Sequence, residues 1–201
     1  WWYDTGVKKS EGNYIDNEQD GLWSYFANDG SIDEEISFSN GKKDGRSTLW
    51  LTSEEKQEEK FYRNGRLDGP STFWKNGYRS IMTNYRSDIA DGPWVIWYPN
   101  SDQIKEQGFH QEGIKEGLTT YYYKNGNKKK EGNLSASINQ KLSKPEGVWT
   151  YWNKDGQVDF TFDYGKGLDH VKFKDLSKID ESELLYNCLL YTSPSPRDTN
   201  E

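Results

Sequence analysis

The 201-residue sequence has one cysteine, two histidines and no long apolar run. A single cysteine, Cys188, cannot form an intrachain disulfide or a cysteine-rich zinc site. The histidines, His110 and His170, lie far apart and are not part of a His-x-x-x-His pair. No stretch reaches the roughly 20 apolar residues that a membrane-spanning helix requires. We therefore expect no metal and no membrane span.

Sequence patterns of common catalytic sites are also absent. There is no Gly-x-Ser-x-Gly elbow and no phosphate-binding loop, and no spacing singles out a pair of carboxylates. We expect no catalytic residues, no cofactor and no enzymatic activity, and no small-molecule ligand is indicated. The net charge of −7 argues against nucleic acid as a partner. The short basic run Lys128–Lys130 is interpreted as part of a solvated strand.

Aromatic residues and glycines are abundant instead, and they recur with a fixed period. The sequence contains nine tryptophans and 19 glycines. Successive acid–Gly pairs are 23 to 25 residues apart, except the last, which follows after 30. A period in this range is typical of a repeat array. The pairs are Asp20-Gly21, Asp44-Gly45, Asp68-Gly69, Asp91-Gly92, Glu116-Gly117 and Glu146-Gly147.

The aromatic residues fall at fixed positions counted from each of these glycines. The second position holds Trp23, Ser47, Ser71, Trp94, Thr119 and Trp149. The fourth position holds Tyr25, Leu49, Phe73, Ile96, Tyr121 and Tyr151. The fifth position holds Phe26, Trp50, Trp74, Trp97, Tyr122 and Trp152. In a strand, the second and fourth positions share one face and the fifth lies on the other.

Each repeat has the signals of one β-hairpin. A short turn follows the aromatic strand, and a more polar second strand and a wider turn then lead to the next acid–Gly pair. Seven such hairpins over residues 1–173 predict an all-β fold, an elongated antiparallel sheet of roughly 14 strands and about 65 Å in length. The last repeat contains an insertion, Ser135 to Lys144, which we expect to form a long loop. The first turns are Thr5-Gly6, Asp29-Gly30, Asn76-Gly77, Asn125-Gly126 and Asp155-Gly156.

The acidic residues before the repeated glycines form the clearest charged pattern. They are able to bind cations or a basic partner, or to accept hydrogen bonds from backbone amides in turns. Equivalent residues two strands apart are about 9.6 Å from each other, too far to share one ion. The sequence therefore favours turn chemistry.

The glycine, aromatic and Asn-Gly pattern resembles the bacterial variant of MORN-type repeats from residue 1 to about residue 167. The resemblance implies a scaffold or protein-binding module, and some bacterial members are antitoxin-like partners of toxin–antitoxin pairs. It implies another protein, such as a toxin, as the partner. No catalytic residues belong to the repeat, so none is carried over.

Two interpretations of the aromatic columns remain open, core packing between hairpins and a binding surface. We expect the face with the fourth-position rings to be the packed one and the fifth-position rings to be more open. An alternative function is a surface protein that stacks carbohydrate or cell-wall ligands on this aromatic face. The candidate partner-binding residues are Trp50, Trp74, Trp97, Tyr122 and Trp152.

The two ends of the sequence carry separate expectations. The chain begins without Met and within a repeat, so we expect a natural N-terminus upstream. Translation that starts directly with the repeats would favour a cytoplasmic protein. A secretion or lipoprotein signal at that N-terminus would favour a secreted or anchored one. Residues 174–187 are expected to form a short helix, in which Asp180 and Glu183 provide capping signals. Residues 188–201 resemble translated library adapter and are set aside as a non-native tail.

Overall fold

One antiparallel sheet contains all the strands that the structure describes. The computed structural model describes residues 1–52, 54–137 and 142–165, together with the backbone of residues 172–173. Consecutive strands pair along the sheet, and the two-residue strand β6 pairs with β5 beside β7. The strands are β1 (Ser10–Ile15), β2 (Glu18–Phe26), β3 (Ile32–Ser39), β4 (Lys42–Trp50), β5 (Lys56–Arg63), β6 (Arg66–Leu67), β7 (Gly69–Lys75), β8 (Tyr78–Arg86), β9 (Ile89–Trp97), β10 (Ile104–Gln111), β11 (Ile114–Tyr122), β12 (Lys128–Ser137), β13 (Leu142–Trp152), β14 (Val158–Asp163) and β15 (Lys172–Phe173).

This topology confirms the predicted all-β array of tandem hairpins. The described residues form no helix. The predicted helix over 174–187 and the adapter-like tail lie outside the described residues.

The turns that join successive hairpins are tighter than the sequence predicts. Asn40 and Gly41 have φ values of 47° and 71°, and Ser87 and Asp88 have values of 50° and 72°. Two consecutive residues with positive φ characterise the two-residue turn that matches the twist of the flanking strands. The wide turns predicted at these points are therefore wrong, because the chain reverses within two residues and pairs again at once.

Five of the six acid–Gly pairs consequently lie inside strands rather than at turns, and in the sixth pair Asp68 lies between β6 and β7. Asp20-Gly21 belongs to β2, where Gly21 has a φ of 74°. Across the neighbouring strand β1, Glu11 pairs with Ser24 but Asn13 pairs with Asp20, so β2 contains two extra residues at this point. A glycine that tolerates positive φ is the usual residue at such a bulge.

The insertion in the last repeat also differs from the expected loop. Ser135 pairs with Lys144, and Ser137 pairs with Leu142, so the insertion lengthens both arms of the β12–β13 hairpin. Backbone pairing does not depend on particular side chains, and these small or polar residues permit it. The prediction of a long loop is therefore wrong.

A second bulge recurs in the second strand of each of the six hairpins that begin at β2, β4, β7, β9, β11 and β13. Trp50 pairs with Lys56 while its neighbour Leu49 pairs with Glu58, which leaves Gln57 without an opposite residue. Residues two apart normally share a face of a sheet. Here the bulge sends Lys56 to the face of Trp50 and Glu58 to the opposite face, that of Leu49.

The two faces of the sheet differ in character. Face A carries the second and fourth positions of each repeat, and face B carries the first, third and fifth positions. Three tryptophans of face A, Trp23, Trp94 and Trp149, are each only 2% exposed. Their rings are covered by side chains of the same single layer, such as Tyr14, whose ring centroid is 4.9 Å from that of Trp23. Burial in this thin sheet is therefore provided by neighbouring aromatic rings.

Tyrosine hydroxyls connect some neighbouring hairpins at the edge opposite the two-residue turns. The hydroxyl of Tyr98 donates to the backbone carbonyl of Tyr122 at 2.7 Å, and that of Tyr123 donates to the carbonyl of Trp152 at 2.9 Å. Tyr3 makes the equivalent bond to Phe26 at 2.8 Å. These bonds join one repeat to the next and are independent of the strand ladder.

Candidate protein-interaction surface

The five aromatic residues proposed from the sequence lie in one row across face B. Their strands are β4, β7, β9, β11 and β13, and the second strand of each intervening hairpin contributes the residue between two rings. Trp50 pairs with Lys56, Trp74 with Arg79 and Tyr122 with Lys128. Aromatic and basic side chains therefore alternate along much of the row, which consists of Trp50, Lys56, Trp74, Arg79, Trp97, Ile104, Tyr122, Lys128 and Trp152.

The cations of this row lie close to the ring faces. The Nζ of Lys56 is 5.8 Å from the Trp50 ring centroid and 5.6 Å from that of Trp74. The guanidinium carbon of Arg79 is 4.8 Å from the Trp97 ring. Such separations allow favourable cation–π attraction. The row therefore presents cations and rings together, and the side chains of Lys56 and Arg79 limit access to the rings.

Carboxylates fix the positions of these cations. Lys56 pairs with Glu59 at 2.7 Å, and Lys128 pairs with Glu131 at 2.7 Å. Burial raises the pKa of Glu131, but hydrogen bonds from Lys128 and Thr120 outweigh it, so this pKa lies below its ordinary value. The carboxylate thus remains ionised and holds Lys128 beside Trp152.

Burial does not separate the fourth-position rings from the fifth-position rings as the sequence predicts. Trp97, in the fifth position, is only 7% exposed, whereas Phe73, in the fourth position, is 42% exposed. Tyr151 of the fourth position is buried as expected. The expectation of a packed fourth position and an open fifth position is therefore wrong for Trp97 and Phe73. The other four fifth-position candidates are half-buried.

The acidic residues of the acid–Gly pairs have local partners in several repeats. Asp44 accepts a hydrogen bond from the backbone amide of Asn64, in the turn of the next hairpin, at 3.0 Å. Asp68 pairs with Arg63, and Asp91 pairs with Arg86, each at 3.5 Å. Among the residues that the structure describes, no three His, Cys, Asp or Glu side chains are grouped to hold a metal ion.

Two basic groups with lowered pKa values lie on face A, beside Trp94. The Nζ of Lys115 is 3.6 Å from the Trp94 ring centroid and 3.8 Å from the nearer carboxylate oxygen of Glu106. Burial lowers the pKa of Lys115, and burial together with the charge of Lys115 lowers the pKa of His110. His110 is therefore neutral near pH 7 and packs as an aromatic ring.

The exposed apolar residues of the first position were not predicted from the sequence. Leu22, Leu118 and Val148 directly follow a repeated glycine, and each is more than half exposed. Phe109, which pairs across strands with Pro93, is 56% exposed on the same face B. Leu22, Leu118 and Val148 each come directly after a repeated glycine, and this regular position in the sequence could have been used to predict them.

Family comparison confirms the repeat class. Residues 19–40 and 115–135 match the family described as MORN repeat variant. The first segment covers most of the β2–β3 hairpin, and the second covers most of β11–β12. These two segments are thus MORN-type repeats, and MORN repeats are generally modules that interact with proteins or membranes. A search of curated proteins gives no match. No helix within the described ranges has the length and apolar character needed to cross a membrane.

Proposed function

We propose that this protein is a non-catalytic protein-binding module that uses the aromatic row of face B. The observation that carries the proposal is the alternation of Trp or Tyr with Lys or Arg along that row. Aromatic residues and arginine are enriched in protein interfaces, and Trp, Tyr and Arg dominate their binding energy. A single layer presents this row across several repeats at once.

The finer proposal is that the partner is a toxin and that this protein acts as its antitoxin. It is supported only by the similarity to bacterial MORN repeats. Inhibition of a toxin requires a tight complex, and a long row of half-buried rings and ordered cations supplies many contacts at a small cost in side-chain ordering. The carboxylates that hold Lys56 and Lys128 contribute to this ordering.

The rival function, carbohydrate or cell-wall binding, is less well supported by the geometry. A sugar stacks on the open face of an aromatic ring. Arg79 lies over Trp97, and Lys56 lies beside both Trp50 and Trp74. These side chains occupy ring faces that a stacked sugar requires, whereas a protein partner is able to contact ring edges and cations together.

The proposal is tested with the gene's own neighbourhood. Products of the adjacent reading frames are expressed with and without this protein, and growth and complex formation are measured. We expect one product to arrest growth, this protein to relieve the arrest, and the purified pair to bind in isothermal titration calorimetry. If none of these products binds, the antitoxin proposal is rejected.

The surface is tested with two neighbouring residues on opposite faces. Trp74→Ala removes a ring from face B, and Phe73→Ala removes one from face A at the adjacent position. We expect Trp74→Ala to weaken partner binding by about tenfold or more, as at an interface hot spot, and Phe73→Ala to leave it nearly unchanged. Equal losses, or binding to a soluble cell-wall glycan in place of protein, count against this surface.

A further inference from the structure

The exposed apolar residues of face B are concentrated in the β9–β11 region. Phe109 on β10 pairs directly with Pro93 on β9, and both are exposed. Leu118, also more than half exposed, lies in the bulge of β11 between Glu116, which pairs with Phe109, and Thr120, which pairs with Gln107. Three neighbouring strands therefore present apolar side chains side by side.

Other repeats interrupt this arrangement with polar residues. Leu22 is as exposed as Leu118, but it pairs with Ser37 on the next strand. Val148 pairs with Asp163, and Leu118 itself faces Asn133 on its other side. Among these hairpins, the run of exposed apolar residues on three adjacent strands thus depends on Phe109. Contiguous exposed apolar surface of this kind marks interaction sites.

Acidic side chains surround these apolar residues. An open cleft of about 660 Å³ beside Phe109 is lined by Asp91, Glu112 and Glu116 as well as by Arg86. Arg86 is paired with Asp91 at 3.5 Å. Lys115, which directly precedes Glu116, pairs with His110 and so belongs to face A. Three carboxylates and one cation therefore line the cleft beside an exposed aromatic ring.

We propose that Phe109, Pro93 and Leu118 form an anchor site for a segment of another protein in which a large apolar side chain is flanked by lysine or arginine. The inference rests on the proposed function and adds to it the location and the chemistry of one contact. The apolar side chain packs against Phe109, and the flanking cations meet Glu116, Glu112 and Asp91. Charge complementarity selects a basic segment and disfavours anionic lipid.

The test uses short fluorescent peptides and the full chain, so it does not require the natural partner. Three peptides of equal length alternate Leu with Lys, Leu with Glu, and Ser with Lys, and binding is measured by fluorescence anisotropy. We expect the Leu–Lys peptide to bind about tenfold more tightly than either of the others, because only it matches both the apolar and the acidic features.

Variants locate the site. Phe109→Gln and Glu116→Lys are each expected to weaken binding of the Leu–Lys peptide by about tenfold. Leu22→Gln is the matched control, because it removes an equally exposed side chain from an isolated position, and it leaves binding unchanged. Circular dichroism melts confirm that all three variants fold.

Several results overturn the anchor site. These are absence of binding, equal binding of the Ser–Lys peptide, and equal losses in Leu22→Gln and Phe109→Gln. Binding to phosphatidylglycerol vesicles that Phe109→Gln abolishes would assign the site to a membrane instead. A natural partner that binds Phe109→Gln normally but fails to bind Trp74→Ala rejects the anchor site and leaves the proposed function intact. Whether the proposed function itself is rejected is decided separately, by the experiment with the products of the neighbouring genes.

Discussion

The indole ring of Trp149 lies directly over Gly132, where an added Cβ would come within 2.3 Å of the ring. Trp23 lies over Gly12 in the same way, also at 2.3 Å. Both indole N–H groups donate to the backbone carbonyl of the residue after that glycine, Asn133 and Asn13, at 3.0 Å. The glycine thus creates the space in which a large ring is buried within a single layer.

Substitution of this glycine tests its steric role. We expect Gly132→Ala to lower the free energy of unfolding by about 1–3 kcal/mol, the cost of overpacking a rigid site. Gly108→Ala is the comparison, because its Cβ would meet the Thr119 hydroxyl and the Trp94 ring at a longer 2.9 Å. Urea denaturation measures both variants. If the Gly132→Ala protein is as stable as the parent, Gly132 is not needed to make space for the Trp149 ring.

Burial, rather than position in the repeat, is expected to set the cost of removing a ring. Tyr151→Ala and Trp97→Ala remove buried side chains and are each expected to cost about 3–5 kcal/mol. Phe73→Ala, at 42% exposure, is expected to cost clearly less. Guanidinium melts of the three variants decide this. If Trp97→Ala is as mild as Phe73→Ala, the fifth position is open after all.

The tyrosine hydroxyl bonds between repeats are expected to stabilise the array. Tyr98→Phe removes the bond to the Tyr122 carbonyl and keeps the ring, so we expect a loss of about 1 kcal/mol. Tyr78→Phe serves as the control, because Tyr78 is an exposed residue of β8. Thermal melts monitored by circular dichroism give the difference. Equal effects of the two substitutions would show that the bond contributes nothing.

The stability of the protein is expected to depend on pH through His110. Its pKa in the folded state lies below the ordinary 6.5, first because of burial and then because of Lys115. The unfolded chain therefore binds a proton at a higher pH than the folded chain, and the stability due to neutral His110 is lost as pH falls through the range below about 6.5. His110→Gln should remove this loss. Urea denaturation of both proteins between about pH 7.5 and pH 5 measures the free energy of unfolding. If that free energy changes with pH equally in the parent and in His110→Gln, His110 is not the cause.

The sequence predicts the array well because its signals are local. The glycine period, the turn dipeptides and the alternation of aromatic residues each depend on a few adjacent residues. The positions of Lys56 and Arg79 beside the rings depend instead on the bulge in the second strand, which is a property of strand register. The placement of Phe109 beside Pro93 is likewise a result of pairing between strands. Pairing across strands is not encoded in the spacing along one strand, so the candidate surface was only partly predictable.

The bulge in each second strand also determines which insertions and deletions the gene tolerates. Loss of a single codon, such as that for Gln57, would remove the unpaired residue and restore strict alternation. Lys56 and Glu58 would then be adjacent and would still lie on opposite faces, across from Trp50 and Leu49, so a loss at this point preserves both pairings. Gain or loss of a whole hairpin leaves every remaining register unchanged. The length of the ribbon is therefore free to vary in units of one hairpin, whereas a strand can lose a single residue without exchanging its faces only where a bulge leaves that residue unpaired.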